Sequence, residues 1–237
     1  MSNTHYVVGD SFSEFCEYPN VITYSDIIMQ DQDSFRDMSV VVCQGLDEEE
    51  IDKLKALGIN VKENVTKKVD KALAHKAKDE NVLITTPVKI DTSNYESLLM
   101  VNDSCAEMSD HVTGKHLQGL MLAEAARQMF MACTELFDYN DKQKFNYGYI
   151  LNNFDINFKA FLFPFDVNIK MKVLNKKWED IKLHKAVEIE FSQKGIVGCV
   201  ISASGTGFPK KILKHVEDAK SFEMYNLFCK EKVDQVA

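Results

Sequence analysis

The sequence Leu117-Gln-Gly-Leu-Met-Leu-Ala-Glu-Ala-Ala-Arg-Gln-Met-Phe-Met-Ala-Cys-Thr-Glu-Leu-Phe137 is rich in helix-forming residues and contains no proline. Its apolar residues cover every side of a helical wheel: Leu120, Met121, Leu122, Ala123, Ala125, Ala126, Met129, Phe130, Met131, Ala132 and Cys133. Because a helix that is apolar all round must be covered on all sides, the stretch predicts a buried central helix. Glu124 and Arg127 interrupt it, so it is not a clean membrane span.

The charged residues Glu124 and Arg127 of this helix need an explanation. An ionised side chain on a buried helix costs on the order of several kcal/mol unless it is paired or reaches a wet cleft. Glu124 and Arg127 lie three residues apart, so both project from one face and can meet. Two interpretations are open from the residues alone: a pair that only fixes the helix in place, or a carboxylate and a guanidinium that line a pocket.

The segments on both sides of the helix have the composition of β-strands. Val82–Thr86 and Tyr95–Asn102 precede it, and Val88–Ile90 continues the first of them beyond Pro87. The candidate strands after the helix are Lys144–Leu151, Phe154–Phe161, Asp166–Leu174, Lys182–Gln193 and Ile196–Gly207. The order is therefore two strands, one long helix and about five more strands.

Several of these strands alternate in polarity. Val187, Ile189 and Phe191 interleave with Glu188 and Glu190, which indicates one covered face and one wet face. The dipeptide at 194–195, Lys-Gly, is a plausible hairpin turn between the last two strands. An antiparallel sheet curled around a wholly apolar helix covers the helix and at the same time buries the apolar face of the strands. The sequence therefore predicts an α+β hotdog fold.

The N-terminal residues predict a separate, small α/β unit. His5–Gly9 and Ser39–Cys43 are short apolar runs typical of strands. Asp47 can cap a helix with three glutamates in its first turn, and Gly58 can end that helix. A third strand follows at Ile59–Val61, and the order strand, helix, strand predicts a parallel βαβ crossover.

The predicted domain organisation follows from these patterns. Residues 1–72 form the small α/β unit, residues 73–210 the hotdog domain, and residues 211–237 a C-terminal helical tail. The heavily charged stretch Lys67–Glu80 is expected to be a solvated helix or linker between the first two.

Composition excludes several classes of protein. The net charge is −8 with lysines scattered among acids, whereas a nucleic-acid binder shows a basic face. No segment is long and uncharged enough to span a bilayer, and Met1–Asp10 lacks the pattern of a signal peptide. The six cysteines are widely spaced, so we expect reduced thiols, no metal site and no cofactor. These features predict a cytoplasmic protein without nucleic-acid or membrane partners.

One part of the sequence resembles a known family. The segment Asp110-His-Val-Thr-Gly114 followed by Gly119-Leu-Met-Leu-Ala-Glu-Ala-Ala-Arg-Gln128 is similar to the signature of the A-factor biosynthesis (AfsA-type) hotdog domain. That family has an Asp-His followed closely by glycine and then a helix reading Met-Leu-Leu-Glu-Ala-Ala-Arg-Gln. His75-Lys76, leading into Val82-Leu-Ile-Thr85, resembles the family's His-Lys/Arg stretch before a Val-Leu-Leu-Thr strand. The resemblance covers roughly residues 75 to 208.

The resemblance implies chemistry on acyl thioesters. The characterised activity of the family is transfer of a β-ketoacyl group from acyl carrier protein to a hydroxyl of a glycerol-type phosphate. Its functional Glu and Arg correspond to Glu124 and Arg127. A carboxylate can act as a general base or orient the hydroxyl, and a guanidinium can bind an anionic acceptor or stabilise the oxyanion. The implied partners are an acyl carrier protein or acyl-CoA substrate.

Two departures from the family pattern affect these expectations. Its best-known members carry two such domains in tandem, whereas this chain has one, which implies a homodimer that completes a double hotdog by joining sheet edges. The loop before the helix is also longer here, because 115–118, Lys-His-Leu-Gln, intervenes. The second departure leaves the substrate open.

The Asp-His segment adds further candidate residues. His111 is either a loop histidine whose ring caps the helix or bonds to backbone, or a base that works beside Glu124, since imidazole titrates near neutral pH. Asp110 can orient His111, and Gly114 allows close backbone approach near the thioester. The remaining candidates for substrate contact are His116 and Gln128, for which structural roles are the alternative.

Three functions from different classes remain open at this point. The first is an acyltransferase that serves a signalling molecule or secondary metabolite. The second is another hotdog reaction, either dehydration of a hydroxyacyl thioester or its hydrolysis. The third is a non-catalytic acyl-binding or scaffold protein in which Glu124 and Arg127 form only a core pair.

Overall fold

The computed structural model describes residues 4–30, 38–62, 67–109 and 114–234, with side chains of the last helix described to residue 229. Within these ranges the chain forms two β-sheets and four α-helices. In the same ranges, none of the helices combines the length and the apolar character that crossing a membrane requires.

The N-terminal sheet has four parallel strands in the order β2-β1-β3-β4. Its elements are β1 (Thr4–Val8), a 3-10 helix (Asp10–Glu17), β2 (Val21–Thr23), α1 (Tyr24–Met29), β3 (Ser39–Val42), α2 (Glu48–Ala56) and β4 (Asn60–Lys62). Asp47 caps α2 by accepting from the Glu50 N–H, while the Glu50 side chain accepts from the Asp47 N–H. The small α/β unit with its parallel crossover is therefore present as predicted, and the sequence analysis missed β2 and α1.

The second sheet has six antiparallel strands in the order β5-β6-β8-β9-β10-β7. They are β5 (Val88–Lys89), β6 (Asn94–Leu98), β7 (Tyr147–Phe158), β8 (Asn168–Glu179), β9 (Lys182–Gln193) and β10 (Ile196–Pro209). The predicted turn between β9 and β10 is confirmed, because Lys194 and Gly195 both have positive φ angles, of 51° and 81°.

The central helix α3 (Gly119–Phe137) packs against β9 and β10 of this sheet. On its other side it shares one core with the segment that precedes β5, through Val69, Ala74 and residues 82–84. Of its side chains only Leu120, at the first turn, is largely exposed. The predicted hotdog arrangement of a long helix covered by an antiparallel sheet is confirmed.

Two predicted strand boundaries differ from the structure. The segments 144–151 and 154–161 are one strand, β7, because Asn152 forms a β-bulge opposite the Ser204/Gly205 step of β10 and does not end the pairing. Val82–Thr86 makes isolated bridges, Ile84 to Leu99 and Thr85 to Lys68, and no continuous ladder.

The stretch Lys67–Glu80 also differs from the predicted solvated helix or linker. It forms turns and a short 3-10 helix that begins at Asp79, and its Val69 and Ala74 are buried in the main core. These two apolar residues explain the difference, since they fix the backbone against α3 despite the many charges around them.

The N-terminal unit is in direct contact with the hotdog domain. The buried Gln44 donates from its amide to the Leu99 carbonyl (3.0 Å) and accepts from the Val101 N–H (2.7 Å). Val8 and Phe12 belong to the same apolar core as α3. These contacts orient the unit, and the boundary at residue 72 stays a prediction.

The C-terminal helix α4 (Lys210–Asp234) continues directly from β10. Leu213 packs so closely against Gly148 of β7 that a Cβ atom at position 148 would collide with its side chain. Most of its other described side chains are exposed.

Candidate functional site

Glu124 and Arg127 form a bidentate ion pair on α3. The Glu124 carboxylate accepts from Arg127 Nε (2.7 Å to Oε2) and Nη2 (2.7 Å to Oε1). Their side chains are 18% and 32% exposed, so the pair reaches the surface although most of the helix is buried. Arg127 Nη2 also donates to the Ala74 carbonyl (3.3 Å). Arg127 Nη1 has no partner in the described part of the chain.

Two further side chains converge on the same carboxylate. Lys76 Nζ lies 3.1 Å from Glu124 Oε1 and 3.5 Å from Glu107 Oε1, and the Gln128 amide donates to Glu124 Oε1 (3.1 Å). Burial acts to raise the pKa of Glu124, but the hydrogen bonds from Arg127, Gln128 and Lys76 and the charge of Arg127 outweigh it, so the pKa lies below its usual range. Glu124 is therefore an anion held by cations, and a weak proton acceptor at neutral pH.

Gln128 connects this cluster to the strand-like segment beside it. Its side chain is fully buried. Its amide group donates to the Asn81 carbonyl (2.8 Å), and its oxygen accepts from the Leu83 N–H (2.8 Å). The contacts found for Gln128 are internal ones, and its role in substrate contact stays a prediction.

A second acid lies on the same side of α3, about three turns further along. Glu135 is fully buried, and its carboxylate accepts from Tyr149 OH (3.2 Å) and from the Phe145 N–H (2.9 Å). His75 Nε2 lies 3.1 Å from Glu135 Oε1, and the imidazole packs edge-on against the Tyr149 ring. The backbone of His75 has a φ of 53°, a conformation that few non-glycine residues adopt.

The other predicted site residues occupy different places. Gly114 lies against Glu14 of the N-terminal unit, where a Cβ would collide with that side chain. His116 packs against the Phe161 ring, with 4.8 Å between centroids. Asp110 and His111 lie outside the described residues. The structure thus brings together Glu124, Arg127 and Gln128, and the roles predicted for Gly114 and His116 stay predictions.

Sequence reasoning gave no role to Lys76, Glu107 or Glu135. Each is far from its partner along the chain, as with Lys76 and Glu124, whose positions differ by 48. Glu135 carries no local signal because it stands among apolar residues in the last turns of the same helix. The only sequence signal was the pair His75-Lys76 in the family resemblance.

A cleft and two buried thiols are further features of the described chain. A cleft of about 750 Å³ separates the start of α2 from residues 67–82, and Glu124 does not line it. Burial raises the pKa of Cys133 to about 12 and of Cys199 to about 11, with the charge of Lys185 opposing the shift at Cys133 and that of Asp138 adding to it. Both thiols are fully buried core residues and poor nucleophiles.

Comparison with known proteins identifies the domain. The family model of the A-factor biosynthesis hotdog domain matches residues 59–196. The ApeI:P dehydratase heterocomplex from Xenorhabdus doucetiae is a similar solved structure, with 17% identity over 63% of this chain and 96% of that chain and a TM-score of 0.46. A thioesterase from Pseudomonas aeruginosa has 13% identity over 53% of this chain and 81% of its own, with a TM-score of 0.39.

No curated protein matches the chain. The family model, in contrast, spans more than half of it, including the whole of α3 and the strands β5 to β9. The chain therefore belongs to the A-factor biosynthesis hotdog domain family.

Proposed function

We propose that this protein is an acyltransferase that acts on a β-ketoacyl thioester, carried by acyl carrier protein or coenzyme A. The acyl group would pass to a small hydroxylated acceptor that carries a phosphate, in the biosynthesis of a signalling molecule or secondary metabolite. One observation carries the proposal: a largely apolar, buried helix presents a partly exposed Glu124–Arg127 pair, as the family resemblance implies.

The contacts of Glu124 favour an orienting role for it. Both carboxylate oxygens are occupied by Arg127, and Oε1 also accepts from Lys76 and Gln128. A carboxylate engaged in this way, with a lowered pKa, fixes its cations and has little capacity left to take a proton.

Arg127 is then the group that meets the substrate. Its Nη1 donates to no described residue, while Nε and Nη2 are held by Glu124 and Ala74. A donor fixed before the reaction is suited to the carbonyl oxygen of a thioester, where negative charge develops during attack. The two cations Lys76 and Arg127 are balanced by Glu107 and Glu124. Recognition of an oxygen that becomes negative only in the transition state therefore fits the described cluster better than tight binding of a full anion.

The products formed from a β-ketoacyl carrier protein test this function. Purified protein is incubated with that thioester, with and without dihydroxyacetone phosphate, and the products are identified by mass. Ester formation that requires the acceptor supports the proposal. A hydroxyacyl thioester is offered in parallel, since loss of water from it would establish a dehydratase and release of free acid a thioesterase. No turnover of either thioester would favour an acyl-binding or scaffold role.

We also propose a homodimer that joins two hotdog domains. Strand β7 lies at the end of the sheet and pairs only with β10 among the described strands, so one side of its backbone is open to another strand. Its exposed residues include Ile150, Leu151 and Phe158. A second copy related by a two-fold axis would use its own β7 to cover both the open strand edge and the exposed apolar side chains.

Leu151→Glu should abolish this dimer. Leu151 is 59% exposed, so a glutamate is tolerated in the monomer, whereas at a two-fold interface it places charges against an apolar surface. Light scattering after size exclusion should give twice the 27.0 kDa chain mass for the wild type and the single mass for the variant. The matched control is Leu174→Glu, at a 56% exposed position of β8, which should stay dimeric. A monomeric wild type, or a dimeric Leu151→Glu variant, would contradict the proposed interface.

A further inference from the structure

We infer that His75, oriented by the buried carboxylate of Glu135, is the group that accepts and returns the proton during acyl transfer. This inference rests on the proposed function and adds the proton acceptor that the Glu124 cluster lacks. It concerns a site three helical turns away from Glu124, built from the segment before β5, α3 and β7.

The surroundings of Glu135 make its contact with His75 more than an incidental one. The carboxylate is fully buried, and a buried carboxylate is costly unless it is fully hydrogen-bonded. Its other donors, Tyr149 OH and the Phe145 N–H, are neutral. His75 is thus the only group among the described contacts of Glu135 that can carry a positive charge.

The same contact determines which nitrogen of His75 is free. An ionised carboxylate only accepts hydrogen bonds, so the Nε2 atom that faces Glu135 carries the hydrogen. Nδ1 then holds a lone pair, and no described group donates to it. The side chain is 23% exposed, so the imidazole is not sealed from solvent. A histidine with one nitrogen on a buried acid and the other free has the arrangement of a general base and its orienting partner.

The ring is also held in one orientation. It packs against Tyr149 with 5.3 Å between centroids and 66° between planes. Burial, together with Tyr139 and Glu135, raises the pKa of Tyr149 far above its usual range, so its hydroxyl stays protonated and donates to Glu135. The backbone of His75 adopts an unusual conformation, with φ at 53°, that places the ring in this position.

The residues on both sides of His75 contact the Glu124 cluster. The carbonyl of Ala74, the preceding residue, accepts from Arg127 Nη2 at 3.3 Å. Lys76, the following residue, contacts Glu124. The turn 74–76 therefore connects the two acids of α3, Glu124 through Lys76 and Glu135 through His75.

The proton can be followed through the reaction. Nδ1 takes the proton of the acceptor hydroxyl as the hydroxyl oxygen attacks the thioester carbonyl. The O–H bond and the carbonyl π bond break, N–H and C–O bonds form, and the π electron pair moves to the carbonyl oxygen. When the tetrahedral intermediate collapses, the C=O bond re-forms, the C–S bond breaks and the imidazolium returns the proton to the departing thiolate. The products are the ester and the free thiol, and His75 ends in its starting form.

Turnover of a β-ketoacyl carrier protein with dihydroxyacetone phosphate tests the role of His75. His75→Gln keeps an N–H that can reach Glu135 but has no basic nitrogen, so kcat should fall about 10²–10⁴-fold. Glu135→Gln keeps the shape and removes the charge, so a smaller loss is expected. The charged or titratable groups around the ring are Glu135 on α3, Tyr149 on β7 and, through the neighbouring residues, Arg127 and Lys76. His111→Gln removes the competing candidate base, and His215→Gln, on the exposed face of α4, is the matched control.

Nitrogen NMR of the imidazoles supplies a readout that does not depend on substrate. In the wild type at pH 8 the His75 signal should show hydrogen on Nε2 and a lone pair on Nδ1, and Glu135→Gln should shift this towards a mixture of tautomers. Full activity of His75→Gln, or a hydrogen on Nδ1 of the wild type, would overturn the role of His75 while acyl transfer stands. A wild type that gives no ester would overturn the proposed function and this role together. Thermal unfolding of each variant excludes a trivial loss of fold.

Discussion

Asp138→Ala is expected to lower the free energy of unfolding by about 3–5 kcal/mol, the largest effect on stability that we predict for a single side chain. Asp138 caps the end of α3, and its side chain is 1% exposed. Its carboxylate pairs with Lys185 from β9 at 2.7 Å and with Lys176 from β8 at 2.8 Å. Lys185 is as deeply buried as Asp138, so removing the carboxylate leaves an ammonium in the core whose remaining described contacts include the Thr134 hydroxyl and two aromatic rings but no other carboxylate. Urea unfolding should show a lower midpoint at an unchanged slope.

Further variants distinguish the contribution of the buried Asp138–Lys185 pair from that of the more exposed Asp138–Lys176 pair. Lys176 is 39% exposed, so Lys176→Met should cost less than about 1 kcal/mol. The double variant Asp138→Ala/Lys185→Met removes both charges and should recover most of the loss, because no buried ion is then left unpaired. A loss below about 1 kcal/mol in Asp138→Ala alone would mean that Lys185 can reach water, against its 1% exposure.

The elements of the fold follow from patterns that extend over many residues. The α3 helix was predicted because apolar residues occupy every side of a long stretch without proline, and β9 was predicted from strict alternation. The prediction of a continuous strand at 82–86 was less accurate, for a physical reason. The Leu83 N–H and the Asn81 carbonyl are satisfied by the Gln128 side chain and not by a neighbouring strand. Local strand propensity contains no information about a side chain 45 residues away whose hydrogen bonds replace those of a neighbouring strand.

The candidate site could be predicted only where its residues share one helix. Glu124 and Arg127 were found because a spacing of three places them on one face. Three further residues come from segments that lie near α3 only in the folded chain: Lys76, Glu107 and His75. The turn that contains His75 has no glycine, so its positive φ angle could not be predicted from the sequence. Asp138 and Lys185 are 47 residues apart and give no sequence signal at all.

The two acids of α3 differ in what neutralises them, and this difference separates their proposed roles. Glu124 is surrounded by permanent cations, so it remains an anion and holds Arg127 in place. Glu135 is surrounded by neutral donors and one imidazole, so the group that can change its charge there is His75. A donor fixed by one acid and a base fixed by the other are the two components that acyl transfer to an alcohol requires.

The proposed donor role of Arg127 gives a second large expected effect on activity. Arg127→Met should lower kcat for ester formation about 10²–10³-fold, the usual loss when one oxyanion donor is removed. KM for the thioester should change little, because the Nη1 hydrogen bond would strengthen only as the carbonyl oxygen becomes negative. Arg127→Lys should not restore the rate, since an ammonium cannot hold Glu124 in a bidentate pair and present a further donor in the same plane.

Separate measurement of kcat and KM decides between catalysis and binding for Arg127. If Arg127 only anchors the substrate, Arg127→Met raises KM and leaves kcat near that of the wild type, which would contradict the oxyanion role. Added guanidinium ion should restore part of the rate of Arg127→Ala, because it can occupy the vacated space beside Glu124 and the Ala74 carbonyl. It should restore none of the rate of His75→Gln, in which the donor is intact and the proton acceptor is missing. Restoration of both variants to the same extent would mean that the ion acts elsewhere, and the separate roles of donor and base would have to be abandoned.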